Sequence, residues 1–231
     1  MKKGLVIIPA YNESANIENT VADILKNAPD FNYVVINDCS KDNTLEILRE
    51  KKLNHIALPV NLGIGGAVQT GYIYAFENGY ETAVQVDGDG QHDVSYLNAM
   101  YDEMKKTGAD MVIGSRFIEK EGFQSSVFRR MGITYFTKMI KALTGVTVTD
   151  PTSGFRLADR KVIEMFAKDY PRDYPEPESV VAILRNECKV VEYPVKMRAR
   201  QGGSSSITPL KAVYYMIKVS IACMIANMRH K

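Results

Sequence analysis

The sequence predicts an α/β protein: a mostly parallel sheet flanked by helices, followed by a C-terminal amphipathic helical extension. Three observations lead there. Short apolar runs alternate with helix-periodic segments through the first half, as in parallel strands joined by crossover helices. The run Leu5–Ile8 carries no polar residue, as a strand covered on both faces requires. And 231 residues with 45% hydrophobic content suffice for one large core.

In chain order, Leu5–Ile8 is the first strand, and Ile17, Val21, Ile24 and Leu25 recur at helical spacing behind it. Tyr33–Ile36 is the second strand, and Asp42 or Ser40 is placed to cap a helix near Thr44–Glu50. His55–Leu58 reads as a third strand with Ala67–Glu77 its helix. Ala83–Val86 is a fourth, with Asp93 capping the helix that runs toward Lys105. Met111–Ile113 is a fifth. Beyond Gly114 the alternation loosens into a helix near Val127–Leu143, a loop through Asp150–Arg156, and helices near Arg160–Phe166 and Glu178–Asn186. A strand near Val190–Lys196, a Gly/Ser loop and a long terminal helix complete the chain. No repeat or low-complexity linker intervenes, so the expected organisation is one domain over 1–206 and a helical extension over 207–231.

The formal charge of +2 conceals an asymmetry. From Lys196 to Lys231 there are seven Lys or Arg and no acid, which leaves 22 basic and 27 acidic residues in the rest. A basic tail on an acidic body points to an anionic partner: phosphate, nucleic acid or lipid headgroups. The tail's bases are interleaved with aliphatics at helical spacing, which argues against nucleic acid. Cys39, Cys188 and Cys223 are odd in number and lack metal-ligand spacing, which fits a reduced, cytosolic protein. The N-terminus enters a strand directly and no uninterrupted apolar run is long enough to span a bilayer, so neither a signal peptide nor a transmembrane helix is expected.

The chemistry concentrates after the fourth strand, in Val84–Gln–Val–Asp87–Gly–Asp89–Gly–Gln91–His–Asp93. Two carboxylates one residue apart repel each other unless a cation compensates. At the carboxyl edge of a parallel sheet, where ligands bind, a Mg²⁺ ion bridging them to a diphosphate meets that need. A calcium loop of EF-hand type is excluded, since His92 stands where its glycine belongs and Asn98 where its glutamate belongs. The first strand ends in Pro9–Ala–Tyr11–Asn12–Glu13 and the second in Asn37–Asp38, on the same edge. An aromatic face with a carboxylate acceptor suits a nucleobase. Asn61–Leu–Gly63–Ile–Gly65–Gly66–Ala67 has the look of a phosphate loop. It fails as a dinucleotide fingerprint because Val68 replaces the third glycine. Phosphate contact and tight helix-to-sheet packing both remain open for its glycines.

With GSRF at 114–117, DPTSGFR at 150–156 and RQGGSS at 200–205, these motifs resemble in order those of the family 2 glycosyltransferases of GT-A (Rossmann-like) fold. Within them the likeness is to the branch that loads sugars onto dolichyl or polyprenyl phosphates. The resemblance implies a catalytic domain in which Pro9, Tyr11, Glu13 and Asp38 hold the nucleotide. It implies Asp87, Asp89 and Gln91 for the metal, Mg²⁺ or Mn²⁺, and the diphosphate. Arg116, with Arg130 and Thr134 on one helix face, matches positions that hold the acceptor phosphate, and Arg200 matches a residue reaching the donor diphosphate. Asn37 replaces the family's usual first Asp, and Ile64 stands where many relatives have Lys. The bacterial relatives imply a UDP-linked glucose or N-acetylglucosamine, an undecaprenyl phosphate acceptor and a place in cell-envelope polysaccharide assembly.

Elementary chemistry agrees. A phosphate monoester is already anionic and attacks an anomeric carbon without a strong base, so the protein has only to position it and stabilise charge. One displacement inverts the centre. Asp150 and Glu178 are candidates for supporting or sugar-hydroxyl contacts, and His92 for a hydrogen bond within the turn. Phe128, Tyr135, Phe136, Met139, Ile140 and Leu143 recur at helical spacing among Arg129, Arg130, Lys138 and Lys141, and Leu210–Met228 is similarly apolar. The expectation is a cytoplasmic, peripheral protein on the inner face of the cell membrane, docked beside a small membrane protein or assembled as a homo-oligomer. A family 2 enzyme acting directly on polysaccharide or protein would need a general base by the acceptor. A non-catalytic nucleotide-sugar sensor would tolerate loss of a metal-site acid, and both acids are present.

Overall fold

A computed structural model describes residues 2–119, 127–173, 175–198 and 209–229. The chain runs β1 (Gly4–Ala10), α1 (Ile17–Asn27), β2 (Phe31–Asn37), α2 (Thr44–Glu50), β3 (His55–Ala57), α3 (Gly63–Glu77) and β4 (Thr82–Gln85). A 3₁₀ turn (Val94–Tyr96) leads into α4 (Leu97–Thr107), then β5 (Met111–Ser115), α5 (Val127–Thr144), β6 (Arg156–Asp159), α6 (Arg160–Lys168), α7 (Pro175–Arg185), β7 (Val190–Pro194) and α8 (Pro209–Arg229).

The strands lie in the order β3-β2-β1-β4-β6-β5-β7. All neighbouring pairs are parallel except those of β6, which runs antiparallel to both β4 and β5. β6 is the one strand that sequence patterning missed. Its four residues follow the turn-rich Pro151–Gly154 and end at Asp159, which caps α6 by accepting a hydrogen bond from Val162 N at 2.9 Å. Four residues show no period, and pairing on both sides is what makes them a strand. The sheet is therefore mixed, as large sheets with mostly parallel strands often are.

Each face buries one apolar cluster. Val6, Ile8, Val35 and Val84 pack with Ile17, Val21 and Ile24 of α1, Leu48 of α2 and Met100 of α4. Leu5, Ile7, Val34 and Ile36 pack with Val68 and Tyr72 of α3, Phe136 of α5, Phe166 of α6 and Val181 of α7. α8 contributes Val219, Cys223 and Ala226 to this second cluster. α3 begins four residues earlier than its apolar period suggested, so the glycine loop forms its first turn. Gly71 lets that helix approach closely, because a Cβ there would overlap the Ile7 side chain on β1.

Candidate active site

The chain leaves β1 toward β2 on one side and returns to β4 on the other. Connections that diverge in this way leave a crevice at the carboxyl ends of the strands. The register aligns those ends: Ala10 pairs with Asn37, and Ile7 with Gln85. A cleft of about 460 Å³ opens there, lined by Pro9, Ala10, Tyr11 and Glu13 after β1, Asp38 after β2, Asn61, Gly63, Ile64 and Ala67 at α3, and Asp87, Gly88 and Asp89 after β4. All the residues expected to hold the nucleotide, save Arg200, and both acidic metal ligands thus share one cavity. Arg200 lies outside the described residues.

The turns after β1 and β2 are stitched together. Asn12 N–H donates to Ser40 Oγ at 3.0 Å, Lys41 N–H to Asn12 Oδ1 at 2.8 Å, Glu13 N–H to Thr44 Oγ1 at 2.9 Å and Ser14 N–H to Asp42 Oδ2 at 3.1 Å. Asn12 (φ 57°) and Cys39 (φ 55°) both adopt the left-handed region, which costs about 1 kcal/mol per non-glycine residue. The small polar residues at 40–44 therefore hold the Tyr11–Glu13 turn against the cleft. Neither Asp42 nor Ser40 is the N-cap of α2: that position is Asn43, without a side-chain cap bond, and Asp42 Oδ1 accepts from Thr44 N–H at 3.0 Å from the turn before it. Burial pushes the Asp42 carboxyl up, but hydrogen bonds from Thr44 and Ser14 outweigh it and hold the group below the usual carboxylate range.

Asp38 is buried, and its Oδ1 accepts from Leu62 N–H at 2.6 Å while its carbonyl accepts from Asn61 Nδ2 at 2.9 Å. It thus ties β2 to the first turn of α3, where the helix N-terminus favours a carboxylate. The glycines of that turn divide their roles. Gly63 takes φ +76° on the cleft wall, whereas a Cβ on Gly65 would overlap the Pro171 and Arg172 carbonyl oxygens. Gly65 N–H donates to the Arg172 carbonyl at 3.2 Å, so close packing accounts for Gly65.

Asp87 is held by two buried neighbours. Gln85 Nε2 donates to its Oδ1 at 2.9 Å, and its own N–H donates to His92 Nδ1 at 3.0 Å. An acceptor Nδ1 leaves the neutral imidazole proton on Nε2, which faces Asp87 Oδ2 at 3.7 Å. His92 stacks on Phe155 with ring centroids 5.0 Å apart. A Cβ on Gly154 would touch both Gln85 Nε2 and the Asp87 carboxylate, so the 150–156 loop closes over this corner. Asp89 Oδ1 accepts from Gln91 N–H at 3.1 Å, and the Gln91 carbonyl accepts from Arg198 N–H at 2.9 Å. Gln91 is not among the residues of the cleft wall. Gln85 escaped sequence reading, although a buried amide in an apolar strand was the available signal.

Arg116 is clamped. Its Nε and Nη2 form a fork on the fully buried Asp150 at 2.6 and 2.7 Å, and Nη2 also donates to Thr152 Oγ1 at 3.1 Å. The fork leaves the Nη1 edge turned away from Asp150. Arg130, Thr134 and Thr137 share one face of α5, and Thr137 Oγ1 reaches the Thr149 carbonyl at 3.5 Å. Arg130 and Thr134 are exposed, and Thr134 Oγ1 donates back to the Arg130 carbonyl at 2.9 Å. They extend the α5 face that meets the Arg116–Asp150 loop. Glu178 lies elsewhere: burial raises its carboxyl, opposed by Arg229 of α8, which places it between α7 and α8.

Four carboxylates, Glu13, Asp38, Asp87 and Asp89, line the cleft, and no Lys or Arg among the described residues does. An anionic ligand entering it needs a cation. Among the described residues no three His, Cys, Asp or Glu form a closed metal cage. Asp87 and Asp89, with no third such ligand grouped beside them among the described residues, suit an ion that completes its shell with water and phosphate oxygens, so the residues present fit a hard divalent ion.

A doubly wound sheet of this order with an acidic switch-point cleft defines a nucleotide-sugar-transferase architecture of GT-A type. The pattern of Glycosyl transferase family 2 matches residues 5–166, and the chain belongs to that family. It is 28% identical over 214 residues to UDP-N-acetylglucosamine–dolichyl-phosphate N-acetylglucosaminyltransferase of Methanococcus voltae, covering 83% of this chain and 84% of that one. It is 27% identical over 229 residues to polyprenol monophosphomannose synthase of Mycolicibacterium smegmatis, covering 95% and 86%. Among solved structures, glucosyl-3-phosphoglycerate synthase from Mycobacterium tuberculosis with Mn²⁺, UDP-glucose and glycerol 3-phosphate superposes with a TM-score of 0.70 at 17% identity, covering 96% and 79%, a likeness of fold.

Proposed function

We propose that this chain transfers a sugar, glucose or N-acetylglucosamine, from its UDP donor to a polyprenyl phosphate with inversion of the anomeric centre. The observation that carries the reading is the acidic cleft, where Asp87 and Asp89 face Tyr11 and Asp38 with no basic side chain on the described wall. The relatives named for dolichyl-phosphate and polyprenol chemistry support the acceptor class. Tyr11, 42% exposed, offers a stacking face for the base. Asp38 accepts from it or, through Leu62, fixes the wall beside it. Asp87 and Asp89, with Gln91 in the turn behind them, would hold a divalent ion, whose charge would offset that of the donor diphosphate and of its leaving form.

The remaining work falls to the arginines. The Asp150 carboxylate offsets the charge of Arg116, which acts as an oriented donor through Nη1, while exposed Arg130 supplies the positive field. A phosphate oxygen of the lipid forms the new bond to the anomeric carbon. The bond from that carbon to the diphosphate oxygen breaks, and its electron pair leaves with UDP. No proton need move, so no general base is required. An α-linked donor yields a β-linked product.

Incubated with undecaprenyl phosphate and a panel of nucleotide sugars with Mn²⁺, the chain is expected to yield lipid-linked product from one UDP-sugar, and none when the ion is chelated. Equal turnover on undecaprenol, which lacks the phosphate, would overturn the acceptor assignment.

No helix among the described residues is long and apolar enough to cross a membrane. Yet α8 exposes Tyr214, Ile217, Ile221, Met224, Ile225 and Met228 along one side, and α5 exposes Met131 and Tyr135. Tyr135 Oη meets Ser220 Oγ at 2.9 Å, which joins the two helices. Together they contain seven Lys or Arg and no acid. This face fits an anionic lipid surface. Ile221→Asp is expected to weaken co-sedimentation with phosphatidylglycerol vesicles about tenfold. Wild-type chain that stays in the supernatant would sink the docking assignment.

A further inference from the structure

A hydrogen-bonded cluster outside the cleft is built on β7, at the sheet edge. Glu192 accepts from Thr149 N–H at Oε2 (2.7 Å), and at Oε1 from both Thr149 Oγ1 (2.9 Å) and Asp150 N–H (2.8 Å). Ser115 Oγ meets Thr149 Oγ1 at 2.9 Å. Asp150 then receives Arg116 through Nε, Nη2 and its backbone N–H, the last at 3.2 Å. One carboxylate thus fixes two consecutive backbone amides, and the second belongs to the residue that grips the arginine.

We propose that Glu192 is a positioning residue for the acceptor phosphate: through Thr149 and Asp150 it sets where the Arg116 guanidinium presents its Nη1 edge. This rests on the proposed role of Arg116 at the acceptor. The carboxylate form is essential, because three donors converge on its two oxygens and a carboxylate accepts at both. A glutamine of the same shape would place an NH₂ group against at least one of those donors, leaving it unsatisfied and moving the 149–150 backbone. The same backbone touches α5 through Thr137, so Glu192 also sets the spacing between Arg116 and the Arg130–Thr134 face. Among the described residues Glu192 makes no hydrogen bond to the Tyr11–Asp38 side of the cleft, and Arg156, bonded to the Pro151 and Ser153 carbonyls, pins the turn between Asp150 and the Gly154 that packs on Asp87, so the donor half of the site is independent of Glu192.

The test compares Glu192→Gln, Thr149→Val and Thr149→Ser with wild type. Steady-state kinetics on undecaprenyl phosphate and calorimetric titration of UDP with Mn²⁺ are combined with NMR exchange of the Arg116 Nε proton. Glu192→Gln and Thr149→Val are expected to raise KM for the lipid phosphate about tenfold, with UDP affinity unchanged and Arg116 Hε exchange accelerated. Thr149→Ser, which keeps the hydroxyl, is expected to stay near wild type. If Glu192→Gln does not fold, Thr149→Val carries the comparison alone. Unchanged acceptor KM and Hε exchange would overturn the proposal, as would a parallel loss of UDP affinity, the sign of general loosening. If wild type transfers nothing to lipid phosphate, the proposed function falls, and Hε exchange alone decides whether Glu192 holds Arg116.

Discussion

Asp89→Asn is expected to lower turnover by at least about a thousandfold while leaving the protein as thermally stable as wild type or more so. The substitution keeps an oxygen for the Gln91 N–H, so the turn geometry persists. It removes one of four negative charges lining the cleft, which repel one another in the absence of a cation. Loss of function with no loss of stability is the signature of a group held for chemistry at the fold's expense. Calorimetry with UDP and Mn²⁺, alongside a melting curve, separates the two effects. Metal-dependent UDP affinity is expected to fall with turnover, because without the pair to hold an ion the described cleft wall has no positive charge to offset the diphosphate. Turnover within tenfold of wild type would remove Asp89 from the mechanism.

Arg156→Met is expected to destabilise the fold by about 3–5 kcal/mol and to lower Tm by about 10 °C. Arg156 is 1% exposed. Its Nε donates to the Ser153 carbonyl at 2.6 Å, Nη1 to Ser179 Oγ at 2.7 Å and Nη2 to the Pro151 carbonyl at 2.8 Å. One side chain therefore pins the Pro151–Ser153 turn and α7 to β6. Methionine fills much of the volume but leaves those acceptors in the core without a donor. Burial drives the Tyr72 and Tyr170 hydroxyls far above their ordinary range, and the Arg156 charge partly offsets this, which locates the cation in the same apolar layer. Since Gly154 packs on Asp87, a loosened turn is also expected to weaken Mn²⁺-dependent UDP binding. A denaturation midpoint equal to wild type would refute this account of Arg156.

Much of the site was legible because its residues are local in sequence. Asp87 and Asp89 follow a strand, Tyr11 follows another and Asp38 a third, and parallel strands must end on a common edge. That inference needs only apolar runs and the rule for where α/β sheets bind ligands. Roles that depend on a distant partner were not legible. Arg116 reads as a free cation in sequence, yet the structure spends its fork on Asp150, 34 positions on. Ser40, Asp42 and Thr44 look like ordinary turn residues, and their work is to hold the Tyr11–Glu13 turn 28 to 31 positions away. Glu192 in β7 gave no signal at all, because an acid in an edge strand is common.

By itself the sequence determined the alternation of strands and helices, the edge at which the acids gather and the family to which they belong. Hydrophobic period and strand-end chemistry act over a few residues. Only the tertiary structure decided that β6 is a strand and runs antiparallel, that Gly63 faces the cleft while Gly65 packs on a neighbouring loop, and that the Asp150 gripping Arg116 is itself held by a carboxylate on the far edge. Each of those depends on which backbone lies beside which, and pairing between distant segments is settled by burial and hydrogen-bond satisfaction across the whole core, which no local pattern records.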